Sequence, residues 1–311
     1  MLLTQAIEAL TVATIADGRS HKTAHDYGQR LAMLAAFLGD RDVASITADD
    51  LRRFVADLRS RDTRYTGHVY RPVKAGGLSP ATVAGHVRAI KRLFSFLVDD
   101  GVIDGNPARR LKVQKLPKGR EPKAISLEDL QAMLAATAGD DAAQLRDRAL
   151  LLFLTDTGCR VGGLVGLRLA DLDLESGAAW VIEKGSKRRA VFFTERTAEA
   201  LARWLAIRPE GSDRVFVRVD LRDAGQGLTA LGVSQILRRV GLRAGVTGAH
   251  NPHSFRHAFA REYLGNGGDL ATLADLLGHA DIGTTSMYLV FSVSELQVKH
   301  DRFSPVPKLE L

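Results

Sequence analysis

NPHSFRHAFAREYLGNGGDLATLADLLGHADIGTTSMY, residues Asn251 to Tyr288, is the stretch from which the rest of the chain can be read. It sets His253, Arg256, His279 and Tyr288 among short helical segments with clear punctuation. Pro252 suits a helical first turn and Gly265 a left-handed closing residue, which predicts a helix from Pro252 to Leu264. On that helix His253 and Arg256 lie three residues apart and share a face, so one rigid element can offer both to one bound group. Asp269 is suited to cap a second helix that carries Leu270, Leu273, Leu276 and Leu277 inward, with Gly278 stopping it and His279 following. A third helix from near Asp281 would present Tyr288 about two turns later.

An arginine and histidine pair, a further histidine and a tyrosine point to chemistry on a phosphate. Arginine donates in a fork that matches phosphate oxygens, histidine donates to them or exchanges protons, and a tyrosine phenol can attack. The same residue types at helix ends also serve as packing residues with satisfied hydrogen bonds, and spacing alone does not separate the two readings.

With 311 residues the chain is long enough for two domains, each with a core, and 45% hydrophobic with 25% charged residues is ordinary for a globular protein. No run reaches the roughly 18 apolar residues that span a bilayer, and the first residues, MLLTQAIEALTVATIADG, form no basic leader. A cytoplasmic protein without a membrane partner is expected. The single cysteine, Cys159, has no partner for an internal disulfide and reads as a small buried hydrophobe. A net charge of +7 suits a polyanionic partner. Residues 1–120 hold 20 Lys and Arg against 12 Asp and Glu, a net +8, which leaves −1 for the remainder. Attraction to a phosphate backbone would therefore come mainly from the first part of the chain.

The first part reads as helical. A helix within Gln5 to Ala16 precedes one from Lys22 to Leu38 with Tyr27, Leu31, Leu34 and Leu38 as its apolar stripe, and Thr47 caps a third that buries Leu51, Phe54, Val55 and Leu58. RSRDTRYTGHVYRPVKAGG, Arg59 to Gly77, has no period and reads as a surface loop, either solvated or following a nucleic-acid backbone. Ser79 and Pro80 open a fourth helix whose inner face carries Val83, Val87, Ile90, Phe94 and Leu97. His86, Arg88, Lys91 and Arg92 make much of its other face basic, fit to lie on DNA or simply to be solvated. ARRLKVQKLPKGREPK, Ala108 to Lys123, holds seven basic residues, including Arg109 and Arg110, with two prolines and a glycine, and reads as an extended basic linker.

The second part begins with a helix capped by Ser126 and an apolar helix from Asp141 to Thr155. Arg160 follows a Thr-Gly-Cys turn at the start of another apolar helix, a place where a charge is held fixed. AAWVIEKGSKRRAVFFT predicts a hairpin of two strands, Ala178 to Glu183 and Arg189 to Thr194, with Lys184, Lys187, Arg188 and Arg189 clustered at its tip. The remainder to Thr247 reads as mainly helical, with Trp204 and Leu205 as core candidates and Arg238, Arg239 and Arg243 as phosphate contacts. After Tyr288, Ser292 and Glu295 form a capping-box pattern for a short terminal helix.

In order, TDTGCRVGGL with Arg160, EKGSKRR with Lys184, HSFRH with His253 and Arg256, and LGHADIGTTSMY with His279 and Tyr288 resemble the signature of the tyrosine recombinases, or phage integrase family, in its Xer/Cre-like form. Each motif alone is weak; four in order, with nine residues from His279 to Tyr288, are specific, and the resemblance covers nearly the whole chain. It implies a mainly α fold with a small antiparallel β-sheet, in which a helical, SAM-like core-binding domain and a catalytic domain form a two-domain C-shaped clamp on DNA. The expected division is 1–107 for the first domain, 108–123 for the linker, 124–290 for the catalytic domain and 291–311 for a tail that docks on a neighbouring protomer. In one departure, the glutamate that the family often has three residues after its first arginine is Gly163 here, which bears on the support of Arg160 more than on the chemistry.

The mechanism implied by the resemblance has Tyr288 attack a DNA phosphate to give a 3′-phosphotyrosyl link and a free 5′-hydroxyl. Arg160, Arg256 and His279 would stabilise the transition state, His253 would assist proton transfer at the tyrosine, and Lys184 would protonate the leaving oxygen. No cofactor or metal is needed. Four protomers on two short sites would exchange strands through a Holliday junction, with Arg88, Lys91, Arg92, Arg109, Arg110, Lys187 and Arg189 contacting DNA. No additional arm-binding module is expected before the first domain. The alternatives are a type IB topoisomerase, which relaxes DNA without a second site, and a DNA-binding regulator without catalysis. A zinc enzyme built on His253 and His257 fails the HExxH pattern, since Ser254 stands where its glutamate would be.

Overall fold

The computed structural model describes residues 1–64, 73–114, 123–183 and 187–278. The chain divides into two compact units, Met1–Lys118 and Gly119–Leu311. It is mainly α-helical with small antiparallel sheets, the class that the family resemblance implies.

In the first unit, α1 (Leu3–Ala16), α2 (His21–Leu38), α3 (Ala48–Ser60) and α4 (Pro80–Asp99) enclose one core of Leu3, Leu10, Leu31, Leu34, Leu51, Phe54, Leu58, Leu93 and Phe94. Polar side chains start α2, α3 and α4 by accepting orphan backbone N–H groups. Ser20 accepts from Thr23, Thr47 from Asp50 and Ser79 from Thr82. The segment Arg59 to Gly77 is not wholly loop: β1 (Thr63–Arg64) pairs antiparallel with β2 (Lys74–Ala75), and Arg64 Nε donates to the Gly76 carbonyl at 2.8 Å. Tyr65 and Arg71 of that segment lie outside the described residues.

His86 departs from its expected place. It is buried, with Nδ1 3.3 Å from the Arg30 carbonyl and its ring edge-on to Phe54, so it belongs to the core and not to the basic face of α4. The physical reason is phase, since His86 lies between Val83 and Ile90 on the inward stripe.

The second unit contains α5 (Leu127–Ala135), α6 (Ala142–Thr157), α7 (Val161–Gly166), β3 (Leu172–Asp173), β4 (Ala178–Glu183), β5 (Lys187–Phe192), α8 (Glu195–Leu205), α9 (Ala230–Arg243), α10 (Pro252–Gly265) and α11 (Leu270–Leu277). The three strands form one antiparallel sheet in the order β3-β4-β5. β5 begins two residues earlier than predicted, so Arg189 sits opposite Val181 inside the ladder and not at the hairpin tip. Helices α6, α8, α9 and α10 pack around Phe153, Phe216, Trp204 and Phe255. Residues 206–229, expected to continue as helix, contain none; Val215, Phe216 and Val217 run through the core as an extended piece, and Trp204 Nε1 donates to the Val215 carbonyl at 2.9 Å. Pro209, Gly211, Gly225 and Gly227 with interspersed aspartates break helical period there.

α10 ends at Gly265, and Gly267, not Gly265, takes the left-handed turn, at φ 96°. A small apolar cluster of Ala260, Leu264, Leu273 and Leu277 holds α11 on α10. No described helix is long and apolar enough to cross a membrane.

Candidate active site

Two helix ends meet where Arg256 lies. α6 closes at Gly158, whose φ of 55° is left-handed, and an added Cβ there would come within 2.6 Å of the Phe259 ring, so only glycine fits. α11 closes at Gly278, also left-handed, at φ 64°. These turns leave terminal carbonyls without intrahelical donors, and the buried Arg256 spans them: Nη1 donates to the Gly158 carbonyl at 2.8 Å and Nη2 to the Leu277 carbonyl at 2.7 Å. A guanidinium at the negative ends of two helices is favourable on dipole grounds as well as for its fork geometry.

Arg160 occupies the position before α7, and its support comes from across the unit. Its backbone N–H donates to Glu183 Oε1 at 2.9 Å and its Nη1 pairs with Glu183 Oε2. Glu183 also accepts from Arg189 Nη2 at 3.0 Å, and Arg256 Nη1 lies 3.9 Å from its Oε1. Arg189 turns inward to donate to the Leu276 carbonyl as well, which makes it part of this cluster and not a free cation. Burial works to push the Glu183 carboxyl up, but the Arg160 backbone N–H and the Arg189 and Arg160 guanidiniums outweigh it and hold it below the ordinary glutamate range.

Three guanidiniums around one carboxylate leave a net +2. Arg160 is the member open to solvent, 31% exposed at its side chain against 5% for Arg256. The arrangement suits an anion that gains negative charge as it reacts.

Of the other expected site residues, His253 is exposed at the first turn of α10 and its ring stacks on His257 at 6.4 Å. Lys184, His279 and Tyr288 fall outside the described residues. Among the expected DNA contacts, Arg88, Arg109, Arg110 and Lys187 are exposed. Arg92 pairs with Asp17 at 3.2 Å, and Lys91 Nζ donates to the carbonyls of Ala108, Arg109 and Leu111 at 3.1 to 3.2 Å. Lys91 thus ties down the chain that leaves α4. Arg239 reaches Asp147 at 2.9 Å, while Arg238 and Arg243 are exposed. Among the described residues no group of three or more His, Cys, Asp or Glu side chains is placed to hold a metal ion.

Glu183 is the residue that reading the sequence missed. The signal was present: in β4 it alternates in phase with the buried Ala179 and Val181, and an acid on the inward face of a strand needs cationic partners. Arg189 is in phase with the buried Val191 in the same way.

Comparison with known proteins identifies the family of the chain. The pattern of the phage integrase family matches residues 123–294, and that of the phage integrase N-terminal SAM-like domain matches residues 13–101. The chain is 28% identical over 298 residues to tyrosine recombinase XerD of Halalkalibacterium halodurans, covering 93% of either chain. It is 32% identical over 310 residues to tyrosine recombinase XerC 1 of Ralstonia nicotianae, covering 93% of this chain and 89% of that one. In fold it is similar to the Tn1549 transposon integrase in complex with a circular intermediate DNA, at TM-score 0.74, 18% identity and coverage of 98% and 100%. It is likewise similar to the XerH site-specific recombinase bound to difH substrate, at TM-score 0.66, 22% identity and coverage of 96% and 83%. The chain belongs to the phage integrase family and is an enzyme of its tyrosine recombinase kind.

Proposed function

We propose that the protein cleaves and rejoins double-stranded DNA at specific sites through a 3′-phosphotyrosyl intermediate. The observation that carries the reading is that Arg160 and Arg256, distant in sequence, are gathered on the single carboxylate of Glu183. In the proposed reaction the Tyr288 oxygen bonds to phosphorus as the bond to the 5′-oxygen breaks. His253 assists removal of the phenol proton, and Lys184 gives a proton to the leaving oxygen. Arg160, Arg256 and His279 hold the nonbridging oxygens, where charge builds in the transition state. The phosphodiester energy stays in the tyrosyl ester, so a 5′-hydroxyl can reverse the step without a nucleotide or metal.

Two sites would be joined by four protomers exchanging strands in pairs through a Holliday junction, with residues 291–311 docking on a neighbour. Support for DNA as partner comes from the +8 charge of residues 1–120 and from the DNA-bound forms of the structural neighbours. Arg88, Arg92, Arg109, Arg110 and Lys187 are the proposed contacts, and the cytoplasm the proposed compartment.

The test uses a duplex site selected by the purified protein from random-sequence DNA. Nicked beside the scissile phosphate, this site should trap a covalent adduct with the parent and none with Tyr288→Phe, which should still bind. Two such sites on one plasmid should recombine. Relaxation of a plasmid lacking the site would favour the topoisomerase, and binding without any adduct would favour a regulator.

A further inference from the structure

We infer that Glu183 is the positioning residue of the arginine cluster, and that Gly163 is the vacancy that lets it serve there. This rests on the recombinase reading above. In the pattern that the chain resembles, a glutamate often stands three residues after the first arginine. Here α7 has Gly163 at that place, and the carboxylate arrives from β4 instead.

The two positions face each other. A Cβ built on Gly163 would lie 3.2 Å from Val181 Cβ and 3.5 Å from Glu183 Cγ. A side chain at 163 and the side chain of Glu183 therefore compete for one volume, so a glutamate at 163 is expected to bring its carboxylate to the same guanidiniums. Glu183 is itself buried, and each of its oxygens is engaged by Arg160. Through Arg189 it also connects to the Leu276 carbonyl near the end of α11, three residues before His279 in sequence.

The relocation has a functional consequence. Glu183 directly precedes Lys184 in sequence, so the carboxylate that orients Arg160 is the chain neighbour of the proposed general acid. An arginine so held is preorganised at both its backbone N–H and its fork, and reorientation during reaction is avoided. Without Glu183 the three guanidiniums would repel one another and Arg160 would be free to swing away.

The experiment measures single-turnover adduct formation on the nicked selected site, with DNA affinity and thermal midpoint measured alongside. Glu183→Gly should slow the rate constant about 100-fold, the scale of losing orientation by roughly an ångström, while its Kd for the duplex stays within about threefold. Glu183→Gln keeps the volume and one acceptor and should lose about tenfold. The deciding variant is Gly163→Glu combined with Glu183→Gly, which returns the carboxylate from α7. It should recover at least about tenfold of the lost rate, a coupling that independent sites do not show.

A purely structural Glu183 would lower the midpoint and the reacting fraction without changing the rate constant of molecules that react. A Glu183→Gly or Glu183→Gln enzyme at parental rate, or a double variant no faster than Glu183→Gly, overturns the inference and leaves the recombinase reading intact. A parent that forms no adduct removes that reading, and the inference with it.

Discussion

Replacing Arg256 with lysine keeps the charge and removes the fork, and its effect on stability can be worked from the contacts. The guanidinium satisfies two buried carbonyls at once, those of Gly158 and Leu277, each the terminal acceptor of a helix. A lysine ammonium has donors enough for both, but they radiate from one nitrogen where the guanidinium holds two nitrogens apart in a rigid fork, so the lysine variant is expected to keep only one of the two. The loss is then one charge-assisted hydrogen bond plus one orphaned carbonyl, about 2 to 3 kcal/mol. For a unit of this size each kcal/mol moves the midpoint by about 2 to 4 °C, so a fall of about 4 to 12 °C is expected. Arg256→Ala leaves both carbonyls without their donor and should cost more, about 3 to 5 kcal/mol. The assay is intrinsic fluorescence on heating, because both tryptophans, Trp180 and Trp204, lie in the second unit and Trp204 is fully buried. A lysine variant melting with the parent would refute the idea that the fork ties α6 and α11 together.

Lys91→Met removes the donor for three carbonyls and should speed tryptic cleavage after Arg109 and Arg110 several-fold, as seen by limited proteolysis. Burial pushes the His86 imidazole below its ordinary 6.5, against the hydrogen bond to Arg30, so the unfolded chain takes up the proton first as pH falls. Stability of the first unit should therefore be lost as pH drops below that value, a slope that circular dichroism melts should find absent in His86→Gln. Burial likewise pushes the Cys159 thiol up to about 11, so a thiol reagent at pH 8 should label it at least about 100-fold more slowly in the native protein than in denaturant.

What the sequence revealed was what neighbouring residues decide. Ser79, Thr47, Ser126 and Asp269 cap their helices because a side-chain oxygen meets a backbone N–H three residues on, a contact any chain with that spacing can form. The hairpin was visible in its alternation, although β5 starts at Lys187 because pairing with β4, and not local propensity, sets where a strand begins. The short pair β1 and β2 and the buried run Val215 to Val217 were missed for the same reason, since tertiary partners create them. At the site, Arg160 and Arg256 were visible from their motifs. Their common partner was not, because Glu183 is 23 residues from Arg160 and is chosen by strand phase and by the space at Gly163.

The central claim is that the clustered guanidiniums serve a single phosphate attacked by one phenol near the end of the chain. The chain has five tyrosines, so the nucleophile can be located directly by trapping the parent on the nicked selected site, digesting protein and DNA, and sequencing the nucleotide-bearing peptide by mass spectrometry. The account predicts one modified peptide, with the 3′-phosphate on Tyr288. A phosphate carried by Tyr27, Tyr65, Tyr70 or Tyr263, or by a serine, would contradict it.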